Sequence, residues 1–166
     1  MITKDNIKKV LSFLGFEKET VGEYYSKIYS TCSIHVDFDN ETLIYPEDKG
    51  LVVNDRTTSN FLHNENFVVF ECVCRLLDKG YRPEHIELEP KWQLGRDAKS
   101  GKADIVVKDE NDIALIIIEC KHLEQSIIRK SKIRKNMAVN CSVIGNKKMR
   151  LDGWLCIHLI GKMVMS

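Results

Sequence analysis

Apolar residues recur along this chain at two periods, and the change from one to the other lays out the predicted elements. Residues 4–14 set Ile7, Val10, Leu11 and Leu14 on one helical stripe, which Gly15 ends. Residues 25–37 and 42–45 are rich in β-branched and aromatic side chains, flank the turn cluster DFDNE, and predict a hairpin. The polar stretch 46–66 reads as a connecting loop around one short apolar segment. From 67 to 77, FVVFECVCRLL is apolar on nearly every side and closes on Asp78, Lys79 and Gly80, as a buried helix should. Period two then takes over: in HIELEPKWQL, residues 85–94, Ile86 and Leu88 face one way and Glu87 and Glu89 the other. A turn at 95–101 leads to strands at 103–107 and 113–119, joined by the polar link KDEND. Helix and then three strands, without internal repeat, predict an α/β fold with a mixed central β-sheet flanked by helices.

Composition changes this picture little. A chain of 166 residues, 43% hydrophobic and 30% charged, suits a globular fold with a sizeable core. The N-terminal residues alternate charge with apolar side chains and form no unbroken apolar run, so no membrane association and a cytoplasmic location are expected. Six cysteines show neither a Cys-x-x-Cys pair nor a histidine at zinc spacing, which favours reduced, structural thiols.

Charge is more informative. The net value of +1 conceals a split: residues 1–121 carry 16 Lys and Arg against 22 Asp and Glu, whereas residues 122–166 carry 9 against 2. Pattern and charge together divide the chain into an N-terminal helix and hairpin segment (1–60), a central segment (61–121) and a basic tail (122–166).

The candidate chemistry lies where the central segment ends. Glu119 and Lys121 fall on one face of the aliphatic strand ALIIIECK, with Cys120 on the other, and Asp104 on the preceding strand is expected to aim at the same point. Two converging carboxylates make a hard oxygen site suited to Mg²⁺ or Mn²⁺. A lysine adds nothing to metal binding, but it serves a phosphate group by stabilising developing charge or by positioning an attacking water. Glu89 and Glu71 are supporting candidates. Glu71 and Arg75, at i and i+4 on the predicted helix, also satisfy each other as an ordinary ion pair.

Asp104 followed by Glu119-Cys120-Lys121 resembles the PD-(D/E)XK nuclease superfamily, although Ala103 stands where that family has proline. The stretch NFVVFECVCRLLDKGYRPEHIELEPKWQLGRDAKSGKADIVV is similar to the N-terminal nuclease domain of type I restriction subunits and of restriction polypeptides that carry an adenine methyltransferase. The resemblance covers residues 1–121. It implies a restriction-endonuclease-like fold, Mg²⁺-dependent cleavage of DNA phosphodiesters, Asp104 and Glu119 as metal ligands, and methyltransferase, specificity or translocase parts as partners in the parent polypeptide or in other subunits.

The same family carries two glycines and Gln-x-x-x-Tyr on a helix after the lysine, and no such motif follows Lys121. Written with codons these residues permit and read from the third base, MAVNCSVIGNKK (137–148) becomes Gly-Gly-Gln-Leu-Phe-Ser-Tyr-Trp-Gln-Gln-Lys. IHLIGKMVM (157–165) likewise yields Ser-Ser-Asp-Trp-Glu-Asp-Gly-Asn, similar to the family's next strand end. A change of reading frame near residue 122 accounts for both matches and for the jump in charge. The rival reading makes IIRKSKIRK (127–135) a basic helix that grips phosphates. Residues 154–160 are apolar enough to form a strand on either account. Three functions compete: a restriction-type nuclease domain, a truncated remnant that binds metal but cleaves nothing, and a DNA-binding or interaction module indifferent to Mg²⁺.

Overall fold

The computed structural model describes residues 2–90 and 103–120 with their side chains, together with the backbone of Lys121 and of three strands within 140–158. Helix α1 (Ile7–Phe13) leads into an antiparallel sheet of four strands in sequence order: β1 (Glu17–Lys18), β2 (Tyr24–Ile28), β3 (Ser33–Asp37) and β4 (Thr42–Ile44). The segment 25–37, expected as one strand, is thus two. Tyr29 donates its N–H to the Cys32 carbonyl at 2.8 Å, closing a tight turn that reverses the chain. On β3, Ile34 and Val36 face the core while Ser33, His35 and Asp37 remain half-exposed.

The expected loop at 46–66 contains regular structure: single 3-10 turns at Glu47–Lys49 and Arg56–Ser59 flank β5 (Val52–Val53). Helix α2 runs from Asn64 to Asp78, three residues earlier than its apolar pattern begins. Its early start is anchored by the buried Asn66, whose amide donates to the carbonyls of Thr57 (2.7 Å) and Asn60 (2.9 Å). At its other end Gly80, with φ +86°, adopts the left-handed conformation that closes a helix without a Cβ penalty.

A mixed five-stranded sheet follows, in the order β5, β6 (Ile86–Leu88), β7 (Ile105–Lys108), β8 (Ala114–Lys121), β9 (Asn140–Val143). β5 runs parallel to β6 and all other neighbours are antiparallel. The strand expected over 85–94 is therefore shorter, because Glu89, with φ +48°, leaves the extended conformation directly after Leu88. The turn expected at 95–101 lies outside the described residues. β10 (Lys148–Leu151) and β11 (Leu155–His158) form a separate hairpin, and β11, within the apolar run at 154–160, lies against β8 and β9.

Helix α2 is apolar nearly all round because it packs on β8 and is buried also against the N-terminal segment. Phe67 meets Phe61 at 5.1 Å between ring centroids, and Phe70 meets Phe16 at 5.8 Å and Tyr45 at 5.7 Å. Ile105, Val107, Ile116, Ile118 and Cys120 belong to the same buried cluster, which reaches back to Ile2. The architecture is α/β, with a mixed sheet. Cys32, Cys72, Cys74 and Cys120 are buried and form no disulfide. Burial pushes the Cys74 thiol up to about 12, so it stays protonated and unreactive. No helix among the described residues is long and apolar enough to cross a membrane.

Candidate metal centre

Asp104 precedes β7 by one residue and is pinned on both sides by backbone. Its N–H donates to the Ile118 carbonyl at 3.0 Å, and its own carbonyl accepts from the N–H of Glu89 at 2.9 Å. Its carboxylate Oδ2 accepts the backbone N–H of Cys120. The simple cross-strand meeting of Asp104 with Glu119 expected from the hairpin is thereby modified. One carboxylate oxygen is taken up by the peptide that joins Glu119 to Cys120, and Asp104 acts as a bridge from the end of β6 to β8.

Three other acids gather around it. Burial is the first cause that pushes the Asp104 carboxyl up to about 6; the Cys120 N–H opposes this, and the negative charges of Glu89, Glu65 and Glu119 add to the rise. The structure thus brings together Asp104, Glu119 and Glu89 of the sequence candidates. Glu89 takes part through the end of β6, where its positive φ places it beside Asp104. Lys121 closes β8, opposite Asn140 of β9.

Glu71 behaves differently. It is buried in α2 and held by Arg75, with Nε at 3.0 Å and Nη2 at 2.5 Å from Oε1, which is the bland pairing its spacing allows. Its Oε2 is buried without a hydrogen-bond partner among the described residues. Glu87, on β6, is occupied structurally: Lys108 approaches at 2.8 Å and the Asn54 amide donates at 2.7 Å.

Sequence reasoning missed Glu65. It lies in the first turn of α2 and acts on Asp104 across the fold. The only signal was its position just before the apolar run, where an acid is also expected simply to favour the helix dipole.

Among the described residues, no three His, Cys, Asp or Glu side chains stand close enough to enclose an ion. Mg²⁺ does not require such an enclosure, since it keeps several waters and is commonly held through one or two carboxylates. The donor type fits it: the carboxylates of Asp104, Glu89 and Glu119 offer hard oxygens, and their charges act on one another.

A pH prediction follows from Asp104. Its proton is held more tightly in the folded chain, at about 6, than at the ordinary 3.8, so its favourable contribution is complete below 3.8 and lost as pH rises to about 6. Above that, the ionised carboxylate opposes folding. Asp104→Asn, measured without divalent cations, should therefore gain in melting temperature relative to the parent between pH 4 and 6 and hold that gain at higher pH. A difference that does not vary with pH would mean that the carboxylate is not under this strain. Compared with family profiles, curated proteins and solved structures, the chain matches none.

Proposed function

We propose that this chain is a restriction-type nuclease domain whose site, built on Asp104, Glu119 and Lys121, serves the Mg²⁺- or Mn²⁺-dependent hydrolysis of DNA phosphodiester bonds. The observation that carries the reading is the half-buried Asp104, tied to the β8 backbone and crowded by Glu89, Glu65 and Glu119 at the strand end where Lys121 follows. The mixed sheet with α2 packed on it is compatible with a restriction-endonuclease-like fold.

Asp104 and Glu119 would hold the cation, and Glu89 and Glu65 would support them with charge. Bound there, the cation supplies Lewis-acid polarisation of a phosphoryl oxygen and a lowered pKa for water. Lys121, two residues after Glu119 at the end of β8, would supply an ammonium to a phosphate oxygen or an attacking water. Methyltransferase, specificity or translocase parts of a restriction system are the corresponding partners.

A second reading, a remnant that binds metal without cleaving, draws on a specific observation. Residues 137–148 carry no Gln-x-x-x-Tyr, and Asn140–Val143 form β9 where the resemblance implies a helix. Both readings share one test. Mg²⁺ or Mn²⁺ should raise the melting temperature of the chain by mass action, and the shift should vanish in Asp104→Asn. An equal shift in parent and variant would place the cation elsewhere.

A further inference from the structure

At the C-terminal end of α2, a cavity of about 270 Å³ lies between the helix and the turn that joins β2 to β3. Its lining includes Tyr29 and Ser30 of the turn and Asp78, Tyr81 and Arg82 of the helix end. Tyr29 anchors its ring by donating its hydroxyl to the Cys74 carbonyl at 3.3 Å, and the Tyr81 N–H is fixed on the Leu76 carbonyl at 3.1 Å. Both charged groups are held from behind. Lys27 donates to Asp78 Oδ1 at 2.6 Å and Arg82 Nη2 meets Glu84 Oε1 at 2.5 Å, while neither Lys27 nor Glu84 is among the residues that line the cavity. Asp78 therefore keeps an acceptor oxygen, and Arg82 further donors, for a ligand.

We infer that this cavity binds a guanine base, carried by a free nucleoside or by a single strand. Charge decides against simpler ligands. An anion would meet Asp78 and the negative end of the α2 dipole. A further cation would be repelled by Arg82 and by the Lys27 ammonium, which already sits over the Tyr29 ring at 4.8 Å from its centroid. A purely apolar group would strip water from Asp78 and Arg82 without replacing it. A neutral ring with donors and acceptors on its edge meets none of these objections, and the two phenol rings offer its faces a stacking surface. Guanine fits the polar pair: its adjacent N–H groups at N1 and N2 suit a carboxylate, and its O6 and N7 suit an arginine. The cavity falls just under the range of about 300–1,000 Å³ typical of drug-sized ligands, so the base enters and the sugar stays outside. The site is independent of the metal-site reading. Glu65, which acts on Asp104, lies in the first turn of α2, about 20 Å of helix away.

The test is a calorimetric titration of the full chain with guanosine, inosine, adenosine and cytidine, and with a thymine oligonucleotide that carries or lacks a central guanine. Guanosine should bind saturably, inosine, which lacks the amino group, about 10-fold more weakly, and adenosine and cytidine more weakly still. Binding of the guanine strand without binding of guanosine would assign the base to single-stranded nucleic acid, and binding of both would admit the free nucleoside. Asp78→Asn should weaken the guanine ligand by about 10-fold or more. Tyr81→Ala should cost about 10-fold, whereas Tyr81→Phe, which keeps the ring, should not. Ser30→Trp, on the exposed turn, fills the cavity and should abolish binding at an unchanged melting temperature. Failure of both guanosine and the guanine strand to bind the parent chain would overturn the inference. So would equal binding of all four nucleosides, or guanine binding that survives in Ser30→Trp. None of these results bears on the Mg²⁺-dependent shift in melting temperature, so the metal-site reading stands or falls separately.

Discussion

Phe70→Ala should lower the unfolding free energy by about 3–5 kcal/mol, which is a large share of the 5–15 kcal/mol typical of a whole domain. Phe70 is fully buried, and its ring lies between Phe16, just after α1, and Tyr45, just after β4. Truncation leaves a cavity on the helix face that joins the N-terminal sheet to α2, where neither side can close without moving the other. Because Glu65 stands on the same helix and acts on Asp104, loosening α2 should also weaken the acid cluster. Denaturant unfolding measures the loss. Leu62→Ala is the matched control: Leu62 is 76% exposed and should cost no more than about 0.5 kcal/mol. Equal effects from the two substitutions would mean that the α2 core is not where stability resides.

What the sequence disclosed follows its periodicities. The buried α2 and the hairpin of β7 and β8 stand out because each exceeds the length at which chance apolar runs occur, and each ends in turn chemistry that stops it. The meander of β2 to β4 was half legible. Its strand composition showed, but the reversal at residues 29–32 uses Ser and Thr with no Gly, Pro or Asn, so it lacks the usual punctuation. β5 was invisible for another reason: two residues pair in parallel with a strand more than thirty positions away, and no local pattern announces such a contact.

The site divides along the same line. Asp104 and Glu119 share a hairpin, so their proximity is a local property, readable from the turn that joins their strands. Glu65 reaches Asp104 only through the packing of α2 on the sheet, and Asp104 reaches the Cys120 N–H only because it steps out of the β7 ladder. Glu89 was found for an incomplete reason. Strand alternation placed it beside Glu87, whereas its left-handed backbone turns it away from the strand, and Glu87 is taken up by Lys108 and Asn54.

Cleavage should separate this chain from a version whose residues after Lys121 are restored to the alternative frame. The acids and Lys121 precede the proposed change of frame and are common to both, so both should bind Mg²⁺ and both should lose that binding in Asp104→Asn. Only the restored chain would carry the glutamine and tyrosine that the resemblance assigns to the site. Removing a single group that orients or stabilises the reacting phosphate typically costs about 10²–10³-fold in rate, so the parent chain should nick plasmid DNA at least that much more slowly. In the restored chain, Lys121→Ala should bring the rate down by a similar factor while leaving Mg²⁺ affinity nearly unchanged, because an ammonium is not a ligand for a cation. The assay is supercoiled plasmid with Mg²⁺, read against an EDTA control. Robust, Lys121-dependent cleavage by the parent chain would sink the change of frame and make the basic tail, with its strand β9, a working part of the enzyme. Failure of the restored chain to cleave, with Mg²⁺ still bound at Asp104, would decide for the metal-binding remnant.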